Sequence, residues 1–431
     1  MNHKIITCAG YGNSGSSAAI DFFKEFSNVL CIGGSLFEFT FLHEPDGIID
    51  LYYAITEGHR LKTDLSIKRF LRLVYKLNFQ NPSGPNYKDF FNNHFLDYTK
   101  EYLDDLGIIK WEGCWYRNNE LILNDNNEFI AKKYIFQREV NNIEYKLYEP
   151  DGWMPTFLLR NTMYYGETSK ENFVKITKRY LSKLLNEFDP KNEFEFLLFD
   201  QLMPASCDTL YTSFFDDIYV VVVDRDPRDL YFANKVFWSC GYLPTVDVSV
   251  FTEWYKKTRS MDYSDEKIIH IKFENLIYEY EKTTKKLMEF VGLDNEMHNG
   301  RGKYLKTEES KKNTRLWLKY DLCGIPISDE LNMIESELSD FCYNYNDEIA
   351  ERNDKQQVYA LEKIDVYVNK LILSRKKRMF FSALYNTNVL LSKKKILLLL
   401  FPTVFLFELV VSFLRQMKYT FIYKKECLLD Y

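Results

Sequence analysis

The segment Gly10-Tyr-Gly-Asn-Ser-Gly-Ser-Ser17 sets three glycines and three serines between an apolar run, Lys4 to Ala9, and a stretch in which Ala18, Ala19, Phe22, Phe23 and Phe26 recur at helical spacing. A strand that ends in such a turn and feeds a helix presents free backbone N–H groups and the positive end of the helix dipole, which together bind an anion. Gly10, Gly12 and Gly15 let the backbone wrap a phosphate closely. A second anion-binding turn is Asp224-Arg-Asp-Pro-Arg-Asp229, where Pro227 suits the first position of a helix and Arg225 and Arg228 flank its positive end. Two further segments carry usable chemistry. One is Ile268-Ile-His-Ile-Lys-Phe-Glu-Asn-Leu276, continuing to Glu289-Phe-Val-Gly-Leu293; the other is the basic stretch Ser310-Lys-Lys-Asn-Thr-Arg-Leu-Trp317.

The elements that must position these residues are legible as hydrophobic runs. Lys4 to Ala9, Val29 to Ile32, Glu195 to Phe199, Ile218 to Val223 and Ile268 to Phe273 read as strands, and IYVVVV at 218–223 is the continuous β-branched run of a strand covered on both faces. Helical patterns alternate with them, one of them a single helix from Leu276 to Val291, which predicts an α/β fold with a parallel sheet flanked by helices. Between the second and third strands lie about 160 residues. Residues 48–108 are helix-patterned, with Leu71, Leu73, Val74 and Leu77 on one face, and 109–150 alternate around turn signals as a small antiparallel ribbon does. The block reads as a mixed α/β insertion that shapes an acceptor pocket.

Composition excludes several classes. The 431 residues are 46% hydrophobic, enough for a large buried core. Eight cysteines stand singly, with no CxxC pair and no histidine at ligand spacing, so neither a zinc site nor a disulfide framework is expected. Aromatic residues make up 17% of the chain but are spread evenly, as core filler rather than base-stacking platforms, so no nucleic-acid partner is expected. The net charge of -6 is uneven, because residues 355–431 hold 14 Lys/Arg against five Asp/Glu. That basic tail contains the apolar stretch Ile396 to Leu414, long enough to span a bilayer but interrupted by Pro402 and Glu408. With no secretory leader readable, the expectation is a cytoplasmic protein held on or anchored to a membrane surface through its C-terminal segment, with Arg375 to Arg378 and Lys393 to Lys395 near anionic headgroups.

Taken in order and spacing, the four motifs resemble those of the PAPS-dependent sulfotransferase family, of the carbohydrate-acting type. The resemblance covers residues 1–50 and 194–317. It implies a sulfotransferase-like domain over 1–325, including the insertion at 50–190, then a helical extension at 326–390 and the membrane-associated tail at 391–431. It also implies transfer of a sulfuryl group from 3′-phosphoadenosine-5′-phosphosulfate (PAPS), without a metal, to a hydroxyl of a carbohydrate or glycolipid acceptor such as a capsular or lipid-linked glycan. Gly12, Asn13, Ser14, Gly15, Ser16 and Ser17 match the 5′-phosphosulfate loop. Arg225, with Arg228 nearby, matches the 3′-phosphate motif, and Lys312, Asn313 and Arg315 match the C-terminal phosphate loop. Two positions depart from the pattern. The serine expected eight residues beyond Arg225 is Ala233, with Asn234 beside it as the substitute donor, and the lysine or arginine expected at 13 is Asn13. Arg228, Lys4 and Lys235 are the cations available to replace it.

For the proton of the acceptor hydroxyl, Glu38 matches the family's glutamate after the second strand, and Asp200, at the end of a strand, is the second candidate base. Two other readings remain open on the sequence. A P-loop kinase or NTPase is suggested by the GxxxxG frame and by the strand ending at Asp224, although Ser16 stands where that class carries its lysine. A non-catalytic, membrane-associated protein of the sulfotransferase fold is suggested by Asn13, Ala233 and the tail.

Overall fold

The structure, a computed structural model, describes residues 3–33, 38–58, 60–81, 84–113, 161–238, 243–260, 265–318 and 328–345. The chain divides into two compact units, Met1–Tyr343 and Asn344–Tyr431. All but the first two residues of the second unit lie outside the described residues, and so does the candidate membrane segment at 396–414. Among the described residues no helix is long and apolar enough to cross a membrane.

Five parallel strands form the central sheet: β1 (Lys4–Gly10), β2 (Val29–Cys31), β5 (Phe196–Asp200), β6 (Ile218–Asp224) and β7 (Ile268–Lys272), in the order β2-β5-β1-β6-β7. Two short strands, β3 (Ile109–Gly113) and β4 (Asn161–Tyr165), pair antiparallel as a separate ribbon. The ribbon expected at 109–150 thus has its first strand in place and finds its partner at 161–165; residues 114–160 lie outside the described residues. In β1, β5 and β6 alternate side chains enter two different cores, as the period of a strand requires. Ile5, Leu197, Phe199, Val220 and Val222 join one; Ile6, Cys8, Leu198, Val221 and Val223 join the other. This covering of both faces is why IYVVVV is apolar without alternation.

The second core is closed by α1 (Ser16–Phe23) and, after β7, by α10 (Phe273–Tyr278) and α11 (Tyr280–Val291). The sequence pattern from Leu276 to Val291 predicts one helix; the chain instead breaks at Glu279 (φ -111°, ψ 41°), and the Thr283 hydroxyl satisfies the Asn275 carbonyl across the break. The first core is closed by the insertion: α2 (Ile48–Thr56), α3 (Arg60–Gln80), α4 (Tyr87–Phe90), α5 (Phe95–Asp105) and α6 (Lys170–Asn186). Here the aromatic richness is core material. Tyr102 and Tyr180 stack at 4.4 Å, and their buried hydroxyls are satisfied by Thr177 at 2.9 Å and Thr99 at 2.7 Å. After β5 come α7 (Thr209–Thr212), then, beyond β6, α8 (Pro227–Phe232), a π-helical stretch (Ala233–Trp238) and α9 (Val248–Arg259). After α11 follow α12 (Thr307–Ser310) and α13 (Ser328–Glu337).

The chain leaves β1 for β2 on one side and reaches β6 on the other, so the direction of winding reverses beside β1. Open parallel sheets bind ligands in that crevice, at the carboxyl ends of the strands. The glycine loop, the Asp224–Asp229 turn and Asp200 all lie there.

Candidate functional site

The glycine loop is held in a conformation that few residues tolerate. Gly12 (φ 82°), Asn13 (φ 56°) and Gly15 (φ 98°) are left-handed. A side chain at Gly15 would place its Cβ 2.5 Å from the Phe273 ring, and one at Gly10 would meet the Ser14 hydroxyl at 2.4 Å. Ser14 is buried; its Oγ accepts from Tyr11 N at 3.0 Å and donates to the Val223 carbonyl at 2.6 Å, which ties the loop to β6. The Ser14 hydroxyl is therefore a structural tether. Gly15 caps α1 without any side-chain cap, which leaves the helix start to its backbone amides, with Ser16 half-buried and Ser17 exposed beside it. Gln201, left-handed at φ 54°, reaches Ser16 Oγ through Nε2 at 3.2 Å.

Arg225, in the second motif, touches the other three. Its guanidinium donates through NH1 to the Asn13 carbonyl at 2.9 Å and through NH2 to the Asn313 carbonyl, and it lies 5.4 Å from the centre of the Phe273 ring. The residue is buried, and its Nε has no hydrogen-bond partner. Asp229 fixes the same basic stretch from the other side, accepting from Arg315 N at 2.9 Å and Leu316 N at 2.5 Å; Arg315 itself turns at φ 56°. Glu274 of the KFENL segment accepts from Asp226 N at 3.0 Å. Asp226, Asp229 and Glu274 are all fully buried around Arg225 and Arg228. Burial first, then the charges of Asp226 and Asp229, pushes Glu274 up to about 8. Asp229 is likewise raised by burial, against the pull of Arg225.

The other candidates are placed as follows. Glu38 is exposed and pairs with Asp200 across an isolated parallel bridge, with Phe39 N donating to the Asp200 carbonyl at 3.0 Å. The two candidate bases therefore stand side by side. Asp200 Oδ1 is buried without a hydrogen-bond partner, and burial followed by the Glu38 charge raises this carboxyl to about 7. Asn234 is fully buried and accepts from Asn13 Nδ2 at 2.7 Å. Lys312 and Asn313 are exposed beside the Arg225 contact.

The three cations named as replacements for a lysine at 13 are all engaged elsewhere. Lys4 pairs with Glu195 at 2.9 Å at the start of β1, six residues or about 20 Å from the loop at its other end. Arg228 is clamped by Asp226 at 2.6 Å and Glu335 at 3.0 Å and lies 4.2 Å from the Trp317 ring centre. Lys235 pairs with Glu330.

Arg259 is the residue that reading the sequence did not single out. Its guanidinium is sandwiched between Tyr11 of the glycine loop (3.7 Å) and Tyr255 (3.6 Å), and it grips Asp224 at 2.7 and 3.2 Å. Asp224 also accepts from Tyr255 OH at 3.2 Å and from Arg225 N at 2.8 Å. The aspartate that a P-loop NTPase would offer to magnesium is thus committed to an arginine. The local signal was present in Trp254-Tyr-Lys-Lys-Thr-Arg259, but only the tertiary approach of α9 to the loop gives it meaning. Among the described residues no group of three or more His, Cys, Asp or Glu side chains could hold a metal ion. No family model matches the chain, and no curated protein matches it.

The arrangement is a set of backbone amides at a helix start, a buried guanidinium linking that loop to a basic loop, and a carboxylate pair at the end of the adjacent strand β5. It can hold a ligand carrying two phosphate-like groups and accept a proton beside it.

Proposed function

We propose that this protein is a P-loop sulfotransferase that uses PAPS to sulfate a hydroxyl of a carbohydrate acceptor, a glycan of the capsular or lipid-linked kind. The observation that carries this reading is Arg225: a buried guanidinium bonded to one carbonyl of the glycine loop and one of the basic loop, with its Nε still without a partner. Such a cation, desolvated, hydrogen-bonded to carbonyls of both loops and set among buried carboxylates, is suited to receive the phosphate of a ligand that touches both loops. The residues fit the donor. The amides of Gly15 to Ser17 at the start of α1 would hold the 5′-phosphosulfate, and Arg225 with Lys312, Asn313 and Arg315 would hold the 3′-phosphate, with Asn234 and Arg228 behind them. When bound, PAPS supplies a sulfuryl group on a phosphate leaving group.

The chain's own residues do the rest. Glu38, exposed at the rim, takes the proton of the acceptor hydroxyl as the oxygen–sulfur bond forms and the sulfur–phosphate oxygen bond breaks. Asp200 across the bridge, raised to about 7 by burial and the Glu38 charge, is a second carboxyl able to share that proton near neutral pH. The α1 amides and the Arg225 charge stabilise the negative charge that develops on the departing phosphate. The insertion α2–α6 with the β3–β4 ribbon forms the acceptor side, and the basic, apolar chain beyond residue 345 attaches the protein to the membrane surface where a lipid-linked acceptor would be presented. Incubation of the full chain with sulfur-labelled PAPS and a panel of polysaccharide and glycolipid acceptors tests the reading. Labelled glycan is the expected product; magnesium-dependent ATP turnover with no sulfuryl transfer would replace it with the NTPase reading, against which the Arg259–Asp224 pair weighs.

A further inference from the structure

The two positions at which the sequence departs from the sulfotransferase pattern are 13 and 233–234, 220 or so residues apart in the chain, and the fold brings them into contact. Asn13 Nδ2 donates to Asn234 Oδ1 at 2.7 Å. Asn234 in turn donates from Nδ2 to the Leu230 carbonyl at 2.9 Å and, more weakly, to the Gly12 carbonyl at 3.5 Å. Asn234 sits in the π-helical stretch Ala233–Trp238, a local widening of the helix of the kind that concentrates at functional sites. Asn13 has φ 56°, the left-handed region in which asparagine is the best tolerated residue after glycine, and its carbonyl receives Arg225 NH1 at 2.9 Å.

We propose that the Asn13–Asn234 amide pair is a lock that takes the place of a cation at position 13: it pins the glycine loop in its left-handed bend, so that the carbonyl of residue 13 stays on Arg225 and Arg225 supplies the positive charge at the loop. Asn13 and Asn234 are positioning residues. The lock accounts for the two departures together. An asparagine at 13 needs a buried acceptor, and Asn234 needs a donor for an oxygen that would otherwise be buried unsatisfied. It also reverses an intuitive repair. A lysine at 13 would strain a long side chain in a left-handed backbone and strand Asn234 Oδ1.

The identity of the ligand, though not the lock, rests on the sulfotransferase reading, so the test has two arms in the full chain. The first measures affinity for adenosine 3′,5′-bisphosphate, and the second measures hydrogen exchange of the peptide spanning Gly10 to Ser17 against that of β6. Asn13→Gly, which keeps the left-handed bend without strain, and Asn234→Ala should each weaken binding roughly tenfold and speed loop exchange by a similar factor, leaving β6 unchanged. The double variant should be no worse than the worse single one, since both remove the same bond. Asn13→Lys should lose affinity rather than gain it. A gain in affinity or turnover for Asn13→Lys, additive losses in the double variant, or unchanged loop exchange in Asn13→Gly would each overturn the lock. If Asn234→Ala does not fold, Asn13→Gly and Asn13→Lys still decide. If the unaltered protein takes up no adenosine 3′,5′-bisphosphate, the sulfotransferase reading fails and the exchange arm alone decides: faster loop exchange supports the lock and unchanged exchange refutes it.

Discussion

Replacing Glu274 by glutamine should leave stability unchanged near pH 4 and make the protein progressively more stable than the unaltered one as pH rises towards 8. Glu274 is fully buried at the start of α10; Oε1 accepts from Asp226 N, and Oε2 is buried without a partner. Burial and the neighbouring Asp226 and Asp229 carboxylates raise it to about 8, whereas in the unfolded chain it titrates as an ordinary glutamate near 4.3. The folded state therefore holds a proton between those limits that the unfolded state has released. Stability from this group is fully present below the unfolded value and is lost as pH climbs through the folded one. At about 1.4 kcal/mol per pH unit of separation, the loss across that window is on the order of 3 to 5 kcal/mol. Glutamine keeps the acceptor for Asp226 N and removes the titration. Urea unfolding followed by tryptophan fluorescence at pH 4.5, 6 and 8 should show the unaltered protein losing stability relative to Glu274→Gln at each step, with the gap level above about pH 8; the contribution of Asp200 is common to both proteins and cancels in the difference. Parallel pH profiles for the two proteins would mean that Glu274 is carried ionised as a partner of Arg225, and the reasoning about this carboxylate cluster would be wrong.

Two other substitutions bear on the loop and the base. Gly15→Ala puts a Cβ into the Phe273 ring at φ 98°, so it should cost on the order of 2 kcal/mol or more in thermal unfolding and abolish adenosine 3′,5′-bisphosphate binding; wild-type binding by a folded Gly15→Ala would remove the loop from the site. If the proposed sulfuryl transfer is observed, Asp200→Asn should erase a step near pH 7 in its pH dependence, because burial and Glu38 raise that carboxyl to about 7; persistence of the step would assign it elsewhere.

What could be read from the sequence is what is local. IYVVVV, the strand–loop–helix of residues 4–23 and the Pro227 helix start each follow from periodicity or backbone chemistry within about ten residues, and each stands where expected. The α/β class with a parallel sheet follows from their alternation. What escaped depends on topology. Glu38 meets Asp200 because β2 and β5 are neighbours, a pairing that no spacing in the chain announces. Arg259 becomes part of the loop's surroundings only because α9 packs against the end of β6. Asn13 looked like a missing charge because its partner lies 221 residues away, on a π-helical turn that has no sequence signature. The single helix expected from Leu276 to Val291 failed for the opposite reason: its apolar spacing is continuous, but a side-chain bond from Thr283 caps the Asn275 carbonyl and lets the chain turn at Glu279.

On the proposed function, the two loops joined by Arg225 receive a 3′-phosphorylated nucleotide. Calorimetric titration of the full chain with adenosine 3′,5′-bisphosphate, with and without magnesium, tests it most directly. One-to-one binding is expected that needs no magnesium and falls at least about tenfold in Arg225→Lys, which keeps the charge but loses the forked contacts to Asn13 and Asn313. No detectable binding, or binding untouched by Arg225→Lys, would contradict it.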